Sequence, residues 1–113
     1  MHELSIAMGI VKIAEDACTQ AHASQVDAIE LQIGKLAGIE KPSLDFVWPM
    51  AVRDTRLEKA ERTIDWVDGK AHCQECGHAY PIYSLYDCCP KCSSYFKDIT
   101  AGKELRVKSL VIS

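Results

Sequence analysis

The sequence predicts a small α+β protein, in which a sheet of about three strands is covered by two helices and a cysteine-rich subdomain is inserted before the last strand. Apolar residues recur at helical steps in two segments and alternate with polar residues in three others. Five of the six cysteines lie between the second and third predicted strands, in a segment with few aliphatic residues. A chain of 113 residues has room for one such core with a small satellite unit.

The two helices are predicted from their apolar periodicity. The first covers residues 4–22, and the second begins near Pro42 or Ser43, because proline fits a first helical turn and serine is a suitable N-cap. Pro49 lacks a backbone N–H inside the second helix, so the sequence predicts either a kink there or an end near Val47. The apolar stripe of the first helix comprises Leu4, Ala7, Met8, Val11, Ala14, Cys18 and Ala21.

Three segments have the two-residue alternation of strands with one buried face. The first alternates across residues 29–33 and stops at Gly34, the second is RTIDWVDG, and the third is ELRVKSLVIS at the end of the sequence. Because the second and third strands flank the cysteine-rich segment, they are predicted to be neighbours in one sheet. The predicted organisation is an α+β domain of residues 1–69 plus 103–113 and an inserted subdomain of residues 70–102.

Charge and composition exclude several classes of protein. The formal net charge is −3, so no overall basic field would attract nucleic acid or an anionic membrane surface. The longest apolar stretches are too short to span a bilayer. The first twenty residues contain three acids and no signal-peptide pattern, so a cytoplasmic location is predicted. In a reducing compartment, six cysteines favour metal ligation or redox chemistry over a disulfide framework.

Four cysteines have the spacing of a structural zinc site. Cys73, Cys76, Cys89 and Cys92 form two C-x2-C pairs separated by twelve residues. Each pair can form a tight turn whose backbone amides point at the thiolates, and two such turns close a tetrahedral site with four sulfur ligands. The resulting zinc ribbon would also stabilise a unit of about 30 residues that has almost no aliphatic core.

Other interpretations of the cysteine-rich segment are disulfides, free thiols or a rubredoxin-like iron site, although Ser93 stands where an iron site of that type has glycine. In the zinc interpretation, Cys88 either does not bind the metal or replaces Cys89 as a ligand in a minor state. His72 and His78 are either solvent-facing or hydrogen-bond donors to sulfur. The segment has balanced charge and no phosphate-neutralising patch, so its tyrosines are expected to pack around the ribbon rather than stack on bases. These tyrosines are Tyr80, Tyr83, Tyr86 and Tyr95.

The N-terminus combines groups that would select a second kind of metal. The Met1 amine, the His2 amide nitrogen and the His2 imidazole would close two fused chelate rings, and planar nitrogen ligands suit Ni(II) or Cu(II). Glu3, or Glu40 in the turn after the first strand, would fill a remaining position. The simpler interpretation is that Glu3 only favours the start of the first helix through the helix dipole.

Together, the MHELSI start, the IGKLAGIE segment and the C-x2-C-x12-C-P-x-C spacing closely resemble the HypA/HybF family of nickel metallochaperones. The resemblance covers essentially the whole chain. It implies an α+β nickel domain with a zinc subdomain inserted near the last strand. It assigns exchangeable Ni(II) to His2 and Glu3, together with the Met1 amine. It also assigns Glu40 as a nickel ligand, at a position where some members of the family have aspartate. It assigns structural Zn(II) to the four cysteines in the two C-x2-C pairs.

The resemblance also implies a function, which is the maturation of nickel–iron hydrogenase and in some organisms of urease. The implied partners are a GTPase that drives nickel insertion and the hydrogenase large subunit. The chain has no phosphate-binding loop, so any nucleotide hydrolysis is expected to belong to the partner. The leading hypothesis is a nickel carrier that is not an enzyme and is a monomer or weak homodimer. The alternatives are a zinc-ribbon module that binds nucleic acid or the transcription machinery, and a small iron electron carrier.

Overall fold

The computed structural model describes residues 3–113 as two helices and six strands arranged in two three-stranded sheets. Among these residues, no helix has both the length and the apolar character that a membrane span requires. In chain order, the elements are α1 (Glu3–Ala21), β1 (Val26–Gly34), α2 (Lys41–Val52), β2 (Glu61–Val67), β3 (Lys70–Cys73), β4 (Ala79–Pro81), β5 (Lys97–Ala101) and β6 (Leu105–Ile112).

The first sheet has the strand order β2-β1-β6. The prediction that the two strands flanking the cysteine-rich segment are neighbours is therefore wrong, because β1 lies between them. The physical reason is burial. Strand β1 carries four side chains that are at most 1% exposed, whereas no residue of β2 or β6 is buried. The strand with the most buried side chains takes the centre, where both of its edges are paired. Its four buried side chains are Val26, Ile29, Leu31 and Ile33.

Helix α1 begins and ends within one residue of its prediction, but its buried face is rotated from the predicted stripe. Leu4 and Met8 are exposed, and Ile10 is buried in their place. Apolar residues spaced three and four apart predict a helix, but here they form two adjacent apolar faces. Packing against α2 determines which of the two faces is buried. The apolar residues buried along α1 are Ala7, Ile10, Ala14 and Cys18.

Helix α2 continues through Pro49 to Val52, so the predicted end near Val47 does not occur. Proline removes the single hydrogen bond that its N–H would have donated to the carbonyl of Asp45. Val47 before the proline and Val52 after it are both buried, so packing holds the helix on each side of the missing bond. An unfavourable residue in the helix is thus outweighed by tertiary contacts.

The loop between α2 and β2 is fixed by Arg56, which the sequence pattern did not single out. Its backbone N–H and its Nε both donate to the carboxylate of Glu15 on α1, at 2.7 and 2.6 Å. Its other guanidinium nitrogens donate to the carbonyls of Ala23 and Glu15 and to the hydroxyl of Thr19. The hydrogen bonds from Arg56 lower the pKa of Glu15, so this carboxylate stays ionised and bound to the loop at neutral pH.

The described chain divides into two compact units. The first contains the residues up to Leu31, together with Ile39–Asp65 and Arg106–Ser113, and the second contains Gln32–Gly38 and Trp66–Leu105. The sequence instead predicts a subdomain of residues 70–102 alone. The assignment of nickel binding to one unit and zinc binding to the other stays a prediction.

The second unit includes the IGKLAG segment because two glycines bring backbones into direct contact. Gly34 donates to the carbonyl of Glu104, and Leu36 donates to the carbonyl of Gly102, at 2.8 and 2.7 Å. A Cβ atom at Gly34 would overlap the carbonyl oxygen of Gly102. Only glycine at position 34 permits this approach, which explains why the motif contains it.

Candidate metal centres

The four cysteines predicted as zinc ligands come together in the second unit. Their sulfur atoms lie within 4.8 Å of one another. The Sγ atoms of Cys73 and Cys92 are 3.5 Å apart, and those of Cys76 and Cys89 are 3.6 Å apart. A tetrahedral zinc with Zn–S bonds of about 2.3 Å separates its sulfur atoms by about 3.8 Å. The cluster therefore has the size and the donor set that fit a closed structural zinc site.

Each C-x2-C pair forms a turn that directs backbone N–H groups at sulfur. The N–H of Cys76 donates to Cys73 Sγ at 3.5 Å, and the N–H of Lys91 donates to Cys89 Sγ at 3.4 Å. Hydrogen bonds to its sulfur, chiefly the one from the Cys76 backbone, lower the pKa of the Cys73 thiol to about 7. Donors of this kind favour the thiolate, which is the form that binds a metal.

The two turns have matching backbone conformations. Gly77 and Ser93 each follow the second cysteine of a pair, and both have positive φ, at 79° and 65°. Gly77 donates to the carbonyl of Cys73 and Ser93 to the carbonyl of Cys89, at 3.1 and 2.8 Å. Ser93 therefore adopts the left-handed geometry that glycine adopts in the first turn, and its identity does not disturb the site.

The other candidate ligands near this cluster lie outside it. Cys88 is half-buried and is not one of the four cysteines that come together. His72 is exposed, and His78 is half-buried with its ring stacked on that of Tyr80 at a centroid distance of 6.3 Å. Cys89 is therefore the better placed of the two adjacent cysteines.

Tyr80 packs inside the cysteine-rich unit, whereas the other three tyrosines of this segment do not. Tyr83, Tyr86 and Tyr95 are between 66% and 87% exposed, so the expectation that they pack around the ribbon is wrong. These three residues lie outside the helices and strands, where the sequence carries no periodicity that would reveal burial. Burial raises the pKa of the Tyr80 hydroxyl, and the negative charge of the nearby Cys73 thiolate raises it further.

Two of the four predicted nickel ligands, Met1 and His2, lie outside the described residues. The other two are adjacent: the backbone N–H of Glu40 donates to Oε2 of Glu3 at 3.3 Å. Glu3 is the first residue of α1 and is only 5% exposed, whereas Glu40 is the N-cap of α2 and is exposed. A carboxylate at either position also stabilises the helix that begins there, through its interaction with the helix dipole. The structural role considered for Glu3 is therefore compatible with a role near a metal.

A family model described as hydrogenase/urease nickel incorporation, metallochaperone, HypA matches residues 1–112. The chain belongs to the HypA family. The hydrogenase maturation factor HypA of Parabacteroides distasonis is 43% identical over 112 residues, which cover 99% of this chain and 97% of the relative. The HypA of Chlorobaculum parvum is 39% identical, and the match covers 99% of each chain.

Solved HypA structures have the same fold. The solution structure of the nickel metallochaperone HypA from Helicobacter pylori matches 99% of this chain and 97% of its own length, with a TM-score of 0.71 and 23% identity. A second HypA solution structure matches with a TM-score of 0.73, also at 23% identity, and covers 100% of this chain and 97% of its own. The predicted α+β class is confirmed.

Membership of the HypA family makes this chain a nickel metallochaperone of hydrogenase maturation, not an enzyme. Maturation requires that the chain interact with other maturation proteins. The four-cysteine cluster fits the zinc site expected beside the nickel function. The alternative of a zinc-ribbon module that binds nucleic acid or the transcription machinery is not supported.

Proposed function

We propose that this chain carries Ni(II) at its N-terminus and delivers it to nickel–iron hydrogenase. The Met1 amine, His2, Glu3 and Glu40 form the proposed nickel site. The observation that supports this proposal most strongly is the hydrogen bond from the Glu40 backbone to the Glu3 carboxylate, because it joins the loop after β1 to the beginning of α1. The bond brings the backbone of residue 40 to the carboxylate of a residue 37 positions earlier in the chain, which supports a site that draws on both segments.

The surroundings of this site favour moderate affinity. Glu3 lies in the first turn of α1 and Glu40 is the N-cap of α2, and each helix N-terminus carries a partial positive charge that disfavours a cation. The two carboxylates offset this charge. A carrier must release its ion, and a dissociation constant of about 1 μM corresponds to about −8 kcal/mol. Binding should weaken as the pH falls toward about 6.5, where free imidazole takes up a proton.

The four clustered cysteines are proposed to hold a structural Zn(II) ion that stays bound while nickel exchanges. Bound zinc would cross-link β3 with the two cysteine turns and so stabilise a unit whose buried apolar cluster is small. The nickel site belongs to the proposed α+β domain of residues 1–69 plus 103–113, and the zinc site to residues 70–102.

The proposed partners are a GTPase that drives nickel insertion and the hydrogenase large subunit that receives the ion. The sequence contains no phosphate-binding loop, so nucleotide hydrolysis is assigned to the partner. The chain is proposed to act in the cytoplasm as a monomer or weak homodimer, and delivery to urease is proposed as an additional use of the same site.

Replacing Glu40 tests the loop contribution to nickel binding. Glu40→Gln should weaken nickel binding by up to about tenfold, or about 1.4 kcal/mol, because one of several ligands loses its charge. Isothermal titration with Ni(II) measures this effect. Glu61→Gln makes the same change at an exposed glutamate at the start of β2 and should leave the affinity unchanged. Unchanged affinity in Glu40→Gln would remove the loop from the site.

A further inference from the structure

The second unit contains a surface cavity of about 340 Å³ that includes none of the proposed nickel or zinc ligands. This volume is at the lower end of the range of about 300–1,000 Å³ that is typical of small-molecule pockets, so it suits an anchoring side chain better than a cofactor. Three segments line the cavity: Lys35 and Leu36 after β1, Asp68 and Gly69 between β2 and β3, and residues 81–83 at the end of β4.

The cavity has apolar residues in its lining, and backbone hydrogen bonds hold its walls. Ile82 is 1% exposed and belongs to the buried cluster of this unit, and Leu36 packs against the same cluster. The N–H of Leu36 donates to the carbonyl of Gly102 at 2.7 Å, and the N–H of Ile82 donates to the carbonyl of Gly69 at 3.1 Å. A surface that is ordered before its partner arrives loses little conformational entropy on binding.

The rim of the cavity carries more positive than negative charge. Lys35 Nζ lies 2.6 Å from Asp68 Oδ1, and these side chains are 59% and 72% exposed. Lys70 is paired with the lining residue Pro81 in the strand register. The pKa of Asp68 is lowered chiefly by its hydrogen bond with Lys35 and further by the charge of Lys70, so both lysines act on this one carboxylate. Two lysines thus oppose one aspartate, and the rim favours a negatively charged occupant.

Tyr83 extends the available surface beyond the cavity. Its side chain is 87% exposed, although its backbone N–H donates to the carboxylate of Asp87 at 2.7 Å. A fixed backbone therefore presents an exposed ring next to a pocket, and tyrosines in such places are enriched among the residues that dominate protein–protein binding. A small molecule inside the cavity would leave this ring in solvent, whereas a polypeptide that crosses the rim covers both.

We propose that this cavity binds a segment of a partner protein in which a leucine-sized apolar side chain adjoins a carboxylate. The apolar side chain enters the cavity beside Ile82, and the carboxylate pairs with Lys35 or Lys70. An exposed ion pair contributes little stability, so Lys35 can exchange Asp68 for the carboxylate of the partner at small cost. This inference rests on the proposed action of the chain together with other maturation proteins, and it does not depend on nickel binding.

The test is an NMR titration of the full, zinc-loaded, ¹⁵N-labelled chain with the peptide acetyl-Ala-Leu-Glu-Ala-amide. The amide signals of Leu36, Ile82 and Tyr83 should shift together, with a dissociation constant of about 1–5 mM. Replacing leucine with serine in the peptide should weaken binding by at least about tenfold, because the apolar anchor is lost. Replacing glutamate with lysine in the peptide should weaken it by about fivefold.

Two exposed positions on the cavity rim have matched controls in the same unit. Lys35→Gln and Tyr83→Ser should each weaken binding of the acidic peptide by about threefold. Lys103→Gln changes another exposed lysine, and Tyr86→Ser changes a tyrosine that is 84% exposed; neither residue lines the cavity. Both controls should bind the peptide as well as the unmodified chain does.

The proposal is overturned if the three amides do not shift at peptide concentrations up to about 10 mM, or if the serine peptide binds as well as the leucine peptide. Equal losses in the rim variants and their controls would also overturn it. So would equally tight binding of N-acetylleucine, which indicates a small-molecule site, or the same shifts on concentrating the chain alone, which indicate a second copy. Nickel uptake is measured separately, so a chain that binds the peptide and no nickel refutes nickel carriage alone.

Discussion

A chain extended by two residues before Met1 is expected to bind nickel at least about 100-fold more weakly than the native chain, a loss of about 2.7 kcal/mol or more. Extension converts the terminal amine into an amide and so removes one nitrogen ligand and the chelate ring that it closes. His2→Ala should have an effect of similar size, because it removes the imidazole and the second ring. Isothermal titration with Ni(II) near neutral pH measures both.

The matched control for the extension is the same two residues added after Ser113. The backbone N–H and carbonyl of Ser113 bond to residues 24 and 25, and these bonds do not require a free carboxylate. Both extended chains should contain as much zinc as the native chain. Equal nickel affinity in the native and N-terminally extended chains would exclude the terminus from the site. A larger effect for Glu40→Gln than for His2→Ala would centre the site on the loop.

Cys73→Ser should abolish zinc binding and unfold most of the second unit. A structural zinc site of this class contributes about 10–16 kcal/mol in apparent binding free energy at neutral pH, far more than the small apolar cluster of this unit can replace. Metal analysis should show the zinc content falling from one per chain to near zero. Amide hydrogen exchange should show loss of protection across β3, β4 and β5, while α1 and α2 stay protected.

Cys88→Ser is the matched control, because Cys88 adjoins a proposed ligand in sequence and lies outside the four-sulfur cluster. It should keep one zinc per chain and the protection of β3. If Cys88→Ser loses zinc as fully as Cys73→Ser does, the proposed ligand set is incorrect, and Cys88 in place of Cys89 binds the ion.

The elements that the sequence predicts well are those that depend on local patterns. The period of α1 and the alternation along β1 follow from neighbouring residues, so both elements are found close to their predicted bounds. The spacing of the cysteine pairs likewise predicts the cluster, since a C-x2-C pair forms its turn from its own backbone. Zinc ligation by Cys73, Cys76, Cys89 and Cys92 stays a prediction.

The features that the sequence did not reveal depend on contacts between distant residues. The central place of β1 follows from the burial of its own side chains, and the continuation of α2 through Pro49 follows from packing. The partners of Arg56 lie on α1 and in the segment that follows it, far from it in sequence. Neither the contact between Glu3 and Glu40 nor the buried hydroxyl of Tyr80 has a local signal, because each depends on which backbone segments meet.

The most direct test of nickel carriage is a titration of the zinc-loaded, tag-free chain with Ni(II) near neutral pH, with zinc and nickel measured in the same samples. The account predicts one exchangeable nickel per chain with a dissociation constant of about 1 μM, while zinc stays constant at one per chain. Failure to take up nickel, or uptake only as an equal amount of zinc is released, would contradict it.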